Sequence, residues 1–317
     1  MSECAYGFQM SRYLQERVCY VGQSQVYEES SEQLKELLGV EVSGKQIERV
    51  CHCYGKLLEK EGPAQAKSNQ LEVEEQQTVY GMVDGSMVLT REERWKEIKL
   101  GRLFTDQSHE KASDKRFRIR ESVYTAHLGG YKEFLPRWES EIPTGAQLIL
   151  LADGAKWFWD WAKDSYPEAL QILDYYHCKE YLCEFAEKYF KNKKFRDQWI
   201  EQQEERLFND QVDEVIKEIK ALPIKALEHN SIKKTILTYY ENNRTRMLYG
   251  TYRKRELLIG SGPIEAAHRN VIQQRLKLAG QRWTQAGAQF MANLRVCRKS
   301  NRWNDVIELT NQKKWAA

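Results

Sequence analysis

Gln147-Leu148-Ile149-Leu150-Leu151-Ala152-Asp153 is a continuous apolar run that ends on an acid. Alternation would mark a strand with one wet face. Unbroken apolarity over so few residues, closed by Asp153-Gly154, marks a strand buried on both faces near the centre of a sheet. Beyond it, a helix is expected from about Lys156 to Asp164, then Pro167 and a short strand Leu170-Gln171-Ile172-Leu173-Asp174. Upstream, Thr78-Val79-Tyr80-Gly81-Met82-Val83-Asp84 is rich in strand formers, Gly85 reads as a turn, and Ser86-Met87-Val88-Leu89 resumes the extended pattern. Trp95 to Phe104 alternates at period two, as a third antiparallel strand would, and residues 131–140 look helical. Strands first, then alternating helices and strands, give an α/β (α+β) expectation.

The flanks read as helical. Glu28 to Leu38 has helical apolar spacing and stops at Gly39. Ser43 is a good N-cap for a second helix, Gly44 to about Glu61, with Ile47, Val50, Tyr54 and Leu57 on one stripe. Residues 1–72 therefore form a small helical segment resembling a helix-turn-helix, a pattern shared by DNA-binding modules and plain packing units. A polar linker is expected over 62–76, through Lys67-Ser68-Asn69-Gln70. After His177 the pattern stays helical to about Tyr252, so 179–258 reads as an all-helical insertion into a core formed by 77–178 and 259–317. Gly260-Ser261-Gly262-Pro263 breaks that block. A helix then starts at Pro263 and ends at Gly280, and a last one covers about Thr284 to Arg298.

At 317 residues the chain can bury a substantial core, and 30% charged residues with no apolar run near the ~20 that span a bilayer argue for a cytoplasmic protein and against a membrane partner. The start, Met1-Ser2-Glu3-Cys4, lacks the apolar stretch of a signal peptide. Neither Cys51-His52-Cys53 nor Cys178 with Cys183 has the paired spacing of a zinc site, so the thiols are expected to be reduced and structural. A net charge of +3 names no partner, but arginines and lysines crowd Arg244 to Arg302, with Tyr249, Tyr252, Trp283 and Trp303 between them. That mixture suits phosphate neutralisation plus base stacking, and equally a solvated basic face.

Three antiparallel strands followed by alternating helices and strands is the order of a ribonuclease H-like core. On that order Asp84 closes the first strand, Asp153 closes the buried strand, and Glu265 lies in the first turn of the late helix. Phosphodiester cleavage develops negative charge on the attacked phosphate and on the leaving oxygen, which two magnesium ions can offset. Magnesium takes oxygen ligands and keeps several waters, so two or three carboxylates suffice. Each acid also has a bland reading, as a turn former or a helix-start residue. Asp174 and His177, three apart at a strand-to-helix junction, could serve near a metal or phosphate, or form a structural pair.

Asp153-Gly154-Ala155-Lys156-Trp157, Leu173-Asp174-Tyr175-Tyr176-His177, Gly260-Ser261-Gly262-Pro263-Ile264-Glu265, and Arg275-Leu276-Lys277 with Gly280-Gln281-Arg282-Trp283 together resemble insertion-sequence transposases of the Kra type, relatives of the Mutator superfamily. The blocks fall in family order over roughly Val79 to Trp303. The resemblance implies a DDE triad of Asp84, Asp153 and Glu265 holding Mg2+, two ions with Mn2+ as a substitute, with Asp174 and His177 as accessory residues. It implies cleavage at transposon ends and transfer of the freed 3′-hydroxyl into target DNA. Double-stranded DNA is then the partner, a homodimer forms on it, and Arg269, Arg275, Lys277, Arg282 and Trp283 are candidate DNA contacts. Such transposases usually carry a longer N-terminal region, which makes this chain a candidate shortened copy. A nuclease that never joins, or a non-catalytic repressor that only binds DNA, would share much of this pattern.

Overall fold

The computed structural model describes residues 7–65, 71, 73–113, 116–224 and 227–312. Met1 to Cys4 and the expected linker residues Lys67 to Gln70 lie outside them. The chain divides into two compact units, Met1–Gln147 with Ile264–Ala317, and Leu148–Pro263.

The first unit opens with three helices: α1 (Arg12–Gly22), α2 (Tyr27–Leu38) and α3 (Gly44–Gln65). Ser11 caps α1 through a bond from Leu14 N, Gly39 ends α2 in the left-handed region at φ 65°, and Ser43 Oγ accepts from Gln46 N at the start of α3. α3 reaches Gln65, past the Gly62-Pro63 pair expected to open the linker; near a helix end, one missing N–H bond is tolerated. The apolar stripe of α3 is buried at Ile47, Val50, Cys51 and Tyr54.

Next come β1 (Thr78–Thr90), β2 (Arg94–Thr105), the small hairpin β3 (His109–Ser113) with β4 (Arg116–Ile119), then β5 (Val123–Leu128) and α4 (Tyr131–Glu139). One expectation is overturned here. Gly85 is no turn: β1 runs unbroken, with Asp84 opposite Leu100 and Gly85 opposite Lys99. The chain reverses instead before Arg94, which takes φ 61°. Asp84 therefore sits inside a long strand rather than at its end. A Cβ at Gly85 would lie 2.1 Å from Glu97 Oε1, the end of a flexible side chain that can turn aside. The segment Trp95 to Phe104 is consequently the second antiparallel strand. The third is β5, paired antiparallel to β2 with Gly101 opposite Thr125.

The second unit holds β6 (Gln147–Ala152, entered from the first unit), α5 (Lys156–Ser165), β7 (Leu170–Leu173), then α6 (Tyr175–Tyr189), α7 (Lys193–Phe208), α8 (Val212–Ala221), α9 (Leu227–Asn243) and α10 (Tyr249–Lys254). β6 and β7 pair in parallel, Ala152 opposite Leu173, with α5 as the crossover helix. Residues Leu148 to Ala152 are all buried, as the opening run required. The hydrogen-bonded strand order is β5-β2-β1 in the first unit and β6-β7 in the second, so the chain is mixed α/β with both antiparallel and parallel strand pairs.

Back in the first unit, α11 (Gly262–Ala267) continues through a π-helical segment, His268–Gln273, into the short α12 (Gln274–Leu276). The helix thus ends at Leu276, before the expected stop at Gly280, which takes φ 77° in the following loop. That loop is pinned to β1: Trp283 N donates to Leu89 O, and Arg91 N donates to Trp283 O at 2.8 Å. Two helices close the fold, α13 (Gln285–Lys299) and α14 (Trp303–Asn311). α13 covers the open edge of β5: Leu128 N donates to Gln289 Oε1 at 2.7 Å, Gln289 Nε2 donates to Ala126 O, and Tyr124 N donates to Ser300 Oγ. Side chains thereby satisfy backbone groups that an exposed edge strand would offer to other chains.

Candidate functional site

In the first unit the sheet and the late helix bring Asp84 and His268 together. Asp84 Oδ2 lies 3.6 Å from His268 Nε2, and its Oδ1 accepts from Gly85 N. Asp84 is 42% exposed whereas His268 is 3% exposed. Burial pushes the imidazole below its ordinary range, against the pull of Asp84, and nearby Lys277 adds to the depression. His268 is therefore neutral at pH 7. Glu265 stands three residues before His268 and is exposed. Three residues separate the two by about one helical turn. The π segment starts at His268 itself; such local widenings recur where a helix must present particular side chains.

His268 was within reach of sequence reasoning, because its spacing from Glu265 places it one turn along. Nothing in the sequence, however, says that β1 faces that turn.

In the second unit the acids differ sharply. Asp153, half-buried at the end of β6, accepts from Ala155 N at 3.0 Å, and its backbone oxygen accepts from Trp159 Nε1. Asp174 is fully buried. Its Oδ1 accepts from Tyr176 N and Ser261 N, at 3.0 and 3.2 Å, and its Oδ2 accepts from His177 Nδ1 at 2.7 Å. Burial alone would raise that carboxyl, but the bonds from His177, Ser261 and Tyr176 outweigh it and hold the group below the usual carboxylate range. The same bond lifts His177 to about 9 against desolvation, with Asp174, Glu180 and Asp153 adding to the rise. His177 is thus an imidazolium at neutral pH, half exposed, in the field of Asp153. Asp174 spends its oxygens on the α6 cap, on Ser261 and on His177, so it positions rather than ligates.

The proposed DNA contacts separate into two groups. Arg269, Lys277 and Arg282 are exposed. Arg275 is not: it is 1% exposed, donates from Nε to Gly22 O, and lies 4.7 Å over the Tyr27 ring and 4.9 Å over the Trp283 ring. Trp283 is also buried and donates from Nε1 to Leu276 O. A guanidinium and an indole stacked on each other inside the protein are closed to phosphates and bases, so neither is placed to contact DNA. Two further arginines of the basic run are likewise engaged within the protein. Arg295 is buried and donates to Gln23 O and Val271 O, and Arg302 is paired with Glu141 through both nitrogens.

Among the described residues, no three His, Cys, Asp or Glu side chains are gathered closely enough to hold a metal ion. Asp84 and Asp153 are half-buried carboxylates and Glu265 an exposed one, oxygen donors of the kind that hard cations take. The cysteine cluster is no competitor, because Cys51 is buried and Cys53 half-buried, with burial raising the Cys53 thiol. Comparison with protein-family models gives no match, and comparison with curated proteins gives none either.

Proposed function

We propose that this chain is a DDE transposase with a ribonuclease H-like core, which cuts DNA at transposon ends and joins the freed 3′-hydroxyl to target DNA. The reading is carried by one observation. Asp84, on a central strand, meets the turn that begins with Glu265 some 180 residues later, through His268 at 3.6 Å. Three antiparallel strands ordered β5-β2-β1 in one unit, and a parallel β6-β7 pair joined by a crossover helix in the other, are elements that core requires and support the reading.

Asp84, Asp153 and Glu265 would hold magnesium, or manganese in its place. When bound, two such ions activate the attacking oxygen and stabilise the departing one. The chain's own groups do the rest. His177 offers an N–H and a positive charge beside Asp153, suited to a non-bridging phosphate oxygen. Asp174 fixes the orientation of that ring. Neutral His268 buttresses Asp84 without competing as a cation. Lys277, exposed and close to His268, is placed to meet the DNA backbone, with Arg269 and Arg282 as further cations. Joining two transposon ends calls for two copies of the chain on double-stranded DNA.

The test uses duplex oligonucleotides carrying the inverted repeats that flank the gene, with a labelled 3′-hydroxyl end and a plasmid target. Wild type should nick and join in Mg2+ or Mn2+. Asp84→Asn, Asp153→Asn and Glu265→Gln should each lose about a thousandfold in rate, the several kcal/mol of charge stabilisation expected of a catalytic metal site. Hydrolysis with no joined product would identify a nuclease. Sequence-specific binding with no metal-dependent cutting would identify a repressor.

A further inference from the structure

A second feature of the Leu148–Pro263 unit is untouched by that reading: a cleft of about 610 Å³ running from Gly154 along the facing sides of α5 and α9. Its size falls within the roughly 300–1,000 Å³ of sites that take a small molecule or a nucleotide-sized group. It begins one residue after Asp153. Gly154 is held against Tyr239, since a Cβ there would lie 2.3 Å from the ring, and Tyr239 stacks on Tyr181 at 4.0 Å. Tyr239 carries a buried hydroxyl with no hydrogen-bond partner among the described residues.

The walls are cationic and polar. Lys156 is neutralised by Asp160 at 2.5 Å. Lys234 and Arg246 form no ion pair among the described residues, which leaves the cleft net positive. Arg246 is held rigidly over the Trp159 ring at 4.5 Å. Its Nε donates to Gln171 and its Nη1 to Asn242 O and Asn243 Oδ1, while Nη2 takes part in none of these bonds. Thr235, Thr238 and Asn242 add short hydrogen-bonding groups between the two cations. One fixed cation, one mobile one and small polar side chains suit the sugar–phosphate of a nucleic-acid strand better than an apolar ligand.

We propose that this cleft takes a single DNA strand, its backbone against Lys234 and Arg246, leading to or from the phosphate that Asp153 serves. The inference rests on the transposase reading for its substrate class, and adds a site for the unpaired strand that cutting at a duplex end exposes. Tyr239 ties the cleft wall to the Asp153-Gly154 turn, so an occupied cleft would fix the acid's position.

The experiment measures binding of a fluorescein-labelled single strand of about a dozen nucleotides to the full chain by anisotropy. Lys234→Glu reverses a cleft charge, and Thr238→Trp fills the cleft from an exposed position; Lys217→Glu, exposed on α8, is the control. Both cleft variants should bind roughly tenfold more weakly, and Lys234→Glu should also lower the salt dependence of binding, whereas Lys217→Glu stays within about twofold of wild type. Unchanged binding in the cleft variants, an equal loss in the control, or no binding by wild type overturns the inference. The cleavage assay run beside it separates the two readings. Intact metal-dependent cutting with unaffected strand binding leaves the transposase standing and removes the cleft. Cleft-dependent binding with no cutting keeps the cleft as a nucleic-acid site and removes the transposase.

Discussion

At the scale of single residues, the Asp174–His177 pair makes a prediction with a definite sign. His177 has its folded pKa raised to about 9, above the ordinary value of 6.5. Its stabilisation is therefore fully present below pH 6.5 and is lost as pH rises through 9. Asp174 is shifted the other way, so its contribution holds above the ordinary carboxylate value and is lost as pH falls through the depressed one. Asp174→Asn should return the His177 titration, followed by NMR of its ring protons, to near its ordinary range. It should also lower stability by about 1–3 kcal/mol at pH 6, the cost of weakening a buried charge-assisted bond, with the deficit shrinking toward pH 10 in urea melts. A His177 midpoint that stays near 9 in the variant would show that Asp174 is not the cause. Residues such as these were half legible in the sequence, where Asp174 and His177 could be picked out but not given roles. Arg275 and Trp283 show the limit. An arginine amid aromatics reads as a nucleic-acid surface, yet the same attraction between guanidinium and ring operates inside a core, and only the position of Tyr27, from a helix some 250 residues earlier, decides between them.

At the scale of elements, the helices flanking the sheet were legible because their apolar spacing and caps are local. Strand boundaries were not. Asp84-Gly85 carries a turn signal by composition, but the pairing partner of β1 runs straight past it. β5 was missed for the opposite reason. Val123-Tyr124-Thr125-Ala126-His127-Leu128 is short, and its outer edge is held by side-chain bonds from Gln289 on α13. The packing of α3 on α13 was equally invisible, and it carries the second prediction. Gly55 meets the backbone of α13, where a Cβ would lie 2.3 Å from Phe290 O, and Asn293 Nδ2 donates to Gly55 O at 3.0 Å. A backbone oxygen cannot swing aside as a side chain can. Gly55→Ala should force the two helices apart and cost about 2–3 kcal/mol by thermal melt, despite alanine's better helix propensity. A neutral or stabilised Gly55→Ala variant would mean that α3 does not pack on α13 this closely, freeing it for the helix-turn-helix role its sequence suggests.

At the scale of the whole molecule, the claim that needs testing is that Asp84, Asp153 and Glu265 act as one set. Cutting assays alone do not decide it, because three independent defects could each abolish activity. Ion binding coupled to stability does. A ligand at a hundred times its dissociation constant stabilises the state that binds it by about 2.7 kcal/mol, a rise of about 5 °C in melting temperature for a chain of this size. Wild type should gain such a shift in saturating Mn2+, a probe with the same oxygen preference as Mg2+ and tighter binding. Asp84→Asn and Asp153→Asn should each lose most of it. The decisive measurement is the double variant. Residues that hold the same ions couple, so removing the second acid after the first should cost almost nothing further, whereas acids holding separate ions would lose their shares additively. Additive losses, or a full shift retained by either single variant, would leave Asp84 beside His268 and Asp153 at the end of β6 as two unrelated acids.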